Sequence, residues 1–117
     1  MQRYINNPLL VNGLKFDFRI YIIITGKTEG RMHAFVADEG IARFSTEPYQ
    51  APSPENYENS FMHLTNYNIQ RNNKNCVNDQ TVEDVLKPNN CTKRTLTALL
   101  AQLEQTSKDP SIAKTIR

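Results

Sequence analysis

Three charged residues stand at alternate positions in one short run, Lys15, Asp17 and Arg19 within Lys-Phe-Asp-Phe-Arg. In an extended segment they share one side at a repeat of about 6–7 Å, while Phe16 and Phe18 take the other. Lysine and arginine so spaced can meet phosphate or carboxylate oxygens. Taken alone, the row also fits a solvated sheet face whose charges pair with neighbours, each exposed pair contributing under about 1 kcal/mol. A second polar group lies in Phe61–Gln70, where apolar Phe61, Leu64 and Ile69 are expected to anchor the segment. That leaves His63, Thr65, Asn66 and Asn68 free for polar contacts.

The elements that must position these residues follow from pattern. Phe16–Thr25 is dominated by aromatic and β-branched residues without Pro or Gly, which predicts one strand. Its core side would be Phe16, Phe18, Ile20, Ile22 and Ile24; its other side Asp17, Arg19, Tyr21, Ile23 and Thr25. Before it, Met1–Leu10 reads as a short extended piece stopped by Pro8, and Asn12-Gly13 as a turn with positive φ. After it, Gly26–Gly30 reads as a loop. Met32–Ala37 and Ile41–Phe44 are expected to form strands joined as a hairpin through Asp38-Glu39-Gly40. Ser45–Ser60, with Pro48, Pro52 and Pro54, reads as irregular loop. Residues 71–91 are expected to be largely mobile loop, with a helical turn at Thr81–Leu86 ended by Pro88. Thr92–Thr106 is the clear helix: Leu96, Leu99, Leu100 and Leu103 make one apolar stripe, with Thr92 as the expected cap. Asp109-Pro110-Ser111 announces another helix. The class is α+β, an antiparallel sheet with packed helices.

Composition narrows the functions. A net charge of +2 on 117 residues, with no basic run interleaved with aromatics, gives no case for nucleic acid. The longest apolar run is far short of a membrane span, and neither anchor nor signal peptide is visible. Cys76 and Cys91 lack Cys-x-x-Cys or His-paired spacing, so no metal site is expected; two reduced thiols are the default, with a disulfide left open. Asn90-Cys91-Thr92 fits the glycosylation sequon, which means little without a secretory signal.

Read together, several blocks resemble the tubulin tyrosine ligase-like family of ATP-dependent amino-acid ligases. They are Gln2-Arg3-Tyr4-Ile5 with Asn7-Pro8-Leu9-Leu10, Lys15-Phe16-Asp17-Phe18-Arg19-Ile20-Tyr21, Glu39-Gly40-Ile41-Ala42-Arg43-Phe44, Thr46-Glu47-Pro48-Tyr49 and His63-Leu64-Thr65-Asn66-Tyr67, in the family's order. Lys93-Arg94-Thr95-Leu96 resembles the start of the following helix. The resemblance implies an ATP-grasp fold, of which residues 1–117 would be the central part, truncated at both ends. It implies that Gln2, Arg3, Tyr4 and Ile5 form a hinge meeting adenine, that Lys15 and Asp17 contact the nucleotide, and that Arg19 lies near phosphate or an acidic substrate. Thr65 and Asn66 would also touch ATP, with His63 beside them as ligand contact or structural histidine. Arg43, Asn68 and Lys93 would surround the incoming amino acid, Arg43 holding its carboxylate with a planar fork. Read without the flanking blocks, Arg43 is an exposed strand cation, Asn68 a turn former and Lys93 a solvated helix-start residue. The magnesium carboxylates of the family belong to an Asp…Glu-x-Asn block that the resemblance places beyond this chain.

The implied reaction is Mg²⁺-assisted, ATP-dependent amide formation, with glutamate added to tubulin tails. Arg19-Ile20-Tyr21 and His63–Tyr67 resemble the glutamate-adding branch more than the glycine-adding one. Glycylation, tyrosination, or a noncatalytic microtubule- or nucleotide-binding module are the alternatives. The implied setting is cytoplasmic and cytoskeletal, with cilium or basal body included.

Overall fold

The computed structural model describes residues 3–28, 31–76 and 92–106. In chain order the elements are β1 (Leu10–Val11), β2 (Leu14–Arg19), β3 (Ile22–Thr28), β4 (Arg31–Val36), β5 (Ile41–Phe44), α1 (Ser60–His63), α2 (Tyr67–Gln70), β6 (Lys93–Thr95) and α3 (Leu96–Thr106). The α+β expectation holds.

A two-residue turn starts the sheet. Asn12 and Gly13 take positive φ of 53° and 76°, the left-handed pair that closes a tight hairpin, and Val11 faces Leu14 across it. The sheet then runs β1-β2-β5-β6, antiparallel throughout, with Phe16 opposite Phe44 and Asp17 opposite Arg43.

Alternation sorts the sheet into two faces. On one, Val11, Ala42 and Phe44 are buried together with Leu99 and Leu103 of α3, and Leu14, Phe16 and Phe18 pack against them. The Phe16 ring meets Phe18 edge-on and leans on Phe44, with centroids 5.5 and 5.4 Å apart. Arg94 of β6 also lies on this side. Its guanidinium sits 4.3 Å over the Phe44 ring and donates to Gln102 of α3, so a buried charge is partnered by a π face and an amide.

The expected strand over Phe16–Thr25 is two strands. Ile20 and Tyr21 leave the ladder because the pairing partner changes there: Arg19 faces Ile41 of β5, whereas Ile22 faces Val36 of β4. The Tyr21 carbonyl accepts the Ala37 N–H at 2.9 Å and fixes the junction. At the same corner a side chain on Gly40 would lie 2.9 Å from the Arg19 carbonyl oxygen, so only glycine lets the two backbones approach. The expected hairpin between 32–37 and 41–44 is therefore absent. Its first strand pairs backward with β3, its second with β2 and β6. Nor is Gly26 in a loop; β3 runs through it to Thr28, with a bulge after Thr25. Ile22, Ile23, Ile24, Met32, Phe35 and Val36 of this ribbon are all exposed, including residues assigned by alternation to the core.

Phe61–Gln70 also differs from expectation. It forms two helical turns, α1 capped by Asn59, whose side chain accepts the Phe61 N–H. Polar groups hold it: Leu64 is exposed, whereas Gln70 is fully buried. The Gln70 Oε1 accepts from the Thr46 N–H and hydroxyl at 2.9 and 2.6 Å, and its Nε2 donates to the Leu64 carbonyl at 2.6 Å. One amide thus satisfies backbone groups of both the Pro-rich loop and the α1–α2 link. The described part of the expected mobile loop, residues 71–76, is a run of turns in which buried Asn73 donates to Glu47.

The expected helix over Thr92–Thr106 begins at Leu96, because Lys93–Thr95 stays extended to pair with β5. Its cap is Thr95, not Thr92: the Thr95 hydroxyl accepts the Ala98 N–H at 3.1 Å, and Glu39 accepts the Thr97 N–H at 3.2 Å. Among the described residues no helix is long and apolar enough to cross a membrane. The expectations for Thr81–Leu86, Pro88, Cys91, the sequon and the helix after Asp109 lie outside the described residues.

Candidate functional site

The sheet face opposite the core carries the charges. Alternation along β2 puts Lys15, Asp17 and Arg19 there, and register adds a row across the strands: Asp17 opposite Arg43, Arg43 opposite Lys93. Directly opposed residues share a face. Arg43 meets Asp17 fork to fork, its Nε donating to Oδ1 at 2.9 Å and its Nη2 to Oδ2 at 2.5 Å. Hydrogen bonding to Asp17 raises the Arg43 guanidinium above its ordinary value, against the opposing effect of burial. The side chains remain 25% (Arg43) and 39% (Asp17) exposed, so the pair is open to solvent.

At the end of this row the Lys93 ammonium lies 3.7 Å over the Tyr67 ring. Lys93 is therefore a sheet residue stacked on α2, not a solvated residue at a helix start. Arg19, at the far end of β2, is exposed and lies 5.7 Å from the Tyr21 ring.

Lys15 turns the other way, toward the chain start and α1. Its Nζ donates to the His63 carbonyl at 2.9 Å and to the Tyr4 hydroxyl at 3.2 Å, and sits 4.2 Å over the Tyr4 ring. Burial holds its ammonium below the ordinary lysine value, opposed by charge on Tyr49 and Asp17. His63 is buried, with Nδ1 2.8 Å from the Tyr4 hydroxyl and Nε2 3.2 Å from the Asn56 Oδ1. The Tyr4 and Tyr49 rings meet it edge-on. A cavity of about 380 Å³ opens beside this group, walled by Tyr4, Asn6, Pro52, Tyr57, His63 and Leu64.

The expected site residues thus fall into two adjoining groups on one face, Asp17, Arg43 and Lys93 with Tyr67, and Tyr4, Lys15 and His63. Thr65 is buried in the link between α1 and α2. Asn66 and Asn68 are exposed beside Tyr67, and the Asn66 side chain makes no cap bond to α2. Arg3 and Ile5 are exposed; Gln2 lies outside the described residues. Sequence reasoning gave no role to Tyr67, Tyr49 or Asn56. Both tyrosines stand inside the quoted blocks, and Tyr67 lies between the candidates Asn66 and Asn68, a signal that could have found it. Asn56, in the Pro-rich loop, carried none. Among the described residues no group of three or more His, Cys, Asp or Glu could hold a metal ion.

The Tubulin-tyrosine ligase family model matches residues 1–117. The chain belongs to the tubulin-tyrosine ligase family. Its antiparallel sheet with packed helices is a fragment of that family's ATP-grasp domain. Tubulin polyglutamylase TTLL13 of Mus musculus is 45% identical over 109 residues, 93% of this chain and 12% of that protein. A probable beta-tubulin polyglutamylase of Tetrahymena thermophila is 41% identical over 109 residues, 93% of this chain and 9% of its own length. Tubulin polyglutamylase ttll-11 of Caenorhabditis elegans is 41% identical over 105 residues, 89% of this chain and 14% of its own. The chain therefore spans only a small part of the relatives it matches.

Proposed function

We propose that this chain supplies one wall of the nucleotide and amino-acid cleft of an ATP-dependent ligase that adds glutamate to the acidic tails of tubulin. The observation that carries this is the row Asp17–Arg43–Lys93 joined to Lys15 and Tyr4 on a single sheet face. Relatives named as tubulin polyglutamylases supply the amino acid and the protein substrate.

The chemistry asks the protein for position and fixed positive charge. The acceptor carboxylate takes the terminal phosphoryl group of ATP, and the amine of glutamate then displaces phosphate to leave an amide. Adenine would lie in the cavity beside Tyr4, against the backbone of the hinge that begins at Gln2, with Thr65 and Asn66 near its sugar and phosphates. Lys15 and Arg19 would face the phosphates. Arg43, with Lys93 and Asn68, would receive the carboxylates of glutamate. Asp17 already occupies two donors of the Arg43 fork, so an incoming carboxylate would meet the remaining donors or displace Asp17. The Mg²⁺ that supports such phosphoryl transfer finds no fitting carboxylate cluster among the described residues. Tubulin as substrate implies a cytoskeletal setting, including cilia and basal bodies.

A noncatalytic nucleotide- or microtubule-binding relative is the second reading, favoured by the Asp17–Arg43 pairing, which occupies two of the donors an incoming carboxylate would use. Labelled glutamate incorporation into tubulin by the full-length protein separates the two. Under the ligase reading, Arg43→Ala lowers ATP-dependent incorporation more than tenfold, about 1.4 kcal/mol or more of lost binding. Unchanged incorporation removes Arg43 from the site.

A further inference from the structure

His63 is buried with both ring nitrogens engaged, and the backbone around Asn56 decides which of them carries hydrogen. The Asn56 Oδ1 lies 2.8 Å from the Ser53 N–H, a group that can only donate, and the Asn56 Nδ2 lies 3.0 Å from the Ala51 carbonyl, which can only accept. The orientation of the Asn56 amide is therefore set by the chain itself. Oxygen faces the His63 Nε2 at 3.2 Å, so Nε2 must donate. In the neutral ring Nδ1 is then the acceptor, and the Tyr4 hydroxyl, 2.8 Å away, must donate to it. With its hydrogen committed, the Tyr4 oxygen keeps its lone pairs for the Lys15 ammonium at 3.2 Å. Every bond from the Pro-rich loop to Lys15 has one direction.

We propose that Asn56 is a positioning residue for the nucleotide site: by imposing the Nε2–H form of His63 it orients the Tyr4 hydroxyl and, through it, the Lys15 ammonium. The inference rests on the reading that Lys15 faces ATP. Asn56 touches neither nucleotide nor reacting atoms; it acts through His63. The groups that face the imidazole are Tyr4 and Tyr49, edge-on, and Lys15, which binds the His63 carbonyl. The nearby Glu47 is bonded instead to Asn59 and Asn73. Protonation of His63 would put hydrogen on Nδ1 and reverse the chain. Tyr4 would have to accept from His63, and Lys15 would face a second cation.

Asn56→Asp tests this in the full-length protein. The carboxylate keeps an acceptor at Nε2 but adds a charge that favours a second ring hydrogen, at Nδ1, where it would reverse the Tyr4 bond. The KM for ATP is expected to rise about tenfold at low pH and to return toward wild type at higher pH, with kcat little changed. Nitrogen chemical shifts of His63 in the wild-type protein read the tautomer without any turnover, and the Nε2–H form is expected. An Nδ1–H form, or an Asn56→Asp profile that superimposes on wild type, overturns the inference. If Asn56→Asp does not fold, Tyr4→Phe serves in its place. It is expected to raise the KM for ATP at all pH values, and an unchanged KM overturns the relay. A Lys15→Ala variant with unaltered ATP affinity, beside an Nε2–H His63, would show that the nucleotide reading had failed and not the tautomer, and would end the positioning role with it.

Discussion

At the scale of single residues, the pair Asp17–Arg43 carries more of the functional argument than of the stability. Both side chains are partly open to water, and exposed ion pairs contribute about 0–1 kcal/mol. Asp17→Asn is therefore expected to shift the urea midpoint only slightly, with the difference shrinking further in high salt. A loss of several kcal/mol would mean that the pair is structural. Asp17 was legible in sequence as part of the charged row Lys15–Asp17–Arg19, and Arg43 through the family block around it. That they bind each other was not, since it depends on a register of Asp17 against Arg43 that spans 26 residues of chain. Gln70 shows the converse. Nothing in its flanks marks it, yet it is completely buried because the Thr46 and Leu64 backbone groups need a partner that apolar Leu64 and Ile69 cannot offer.

At the scale of elements, the start of α3 is set by a neighbour across the fold. Leucine spacing placed the helix and its buried stripe correctly, but Thr92 as cap lost to Thr95 because Lys93–Thr95 completes the sheet. Glu39 ties this helix to the β4–β5 corner by accepting from the Gly40 and Thr97 N–H groups at 2.9 and 3.2 Å. Burial pushes its carboxyl upward, but those hydrogen bonds outweigh it and hold the group below its ordinary value of 4.5. A carboxylate lowered on folding adds stability above its unfolded value and gives it up as pH falls through the folded one. Glu39→Gln is thus expected to lower the thermal midpoint slightly at neutral pH and to converge on wild type on the acid side of pH 4.5, which flattens the acid limb. An acid limb identical to wild type would show that the contact contributes nothing. Because Glu39 is largely exposed, the effect is small.

At the scale of the whole molecule, the core lies on one side of the four-stranded sheet and the ribbon β3–β4 stands outside it. Leu99 is fully buried against Ala42 and Phe44, whereas Ile23 is 60% exposed. Leu99→Ala is accordingly expected to cost about 3 kcal/mol, and Ile23→Thr to stay within about 0.5 kcal/mol, by denaturant unfolding of this chain. Equal costs would place the ribbon in the core after all. Alternation alone had put Phe16, Phe18, Ile20, Ile22 and Ile24 on a single buried face. It failed past Arg19 because an apolar pattern states that a strand wants cover, and does not state which strand or helix provides it.

By itself the sequence determined what is local: the Asn12-Gly13 turn, the two-sided character of Lys15–Arg19, the leucine stripe of α3 and the ordered blocks of its family. Their physical basis is short-range, in φ preferences and in the repeats of strand and helix. Only the tertiary structure decided where the long strand breaks, which face of the sheet gathers Asp17, Arg43 and Lys93, and how His63 binds Tyr4 and Asn56. Those outcomes come from pairing between distant segments, where one backbone donor finding one acceptor outweighs the propensity of any residue nearby.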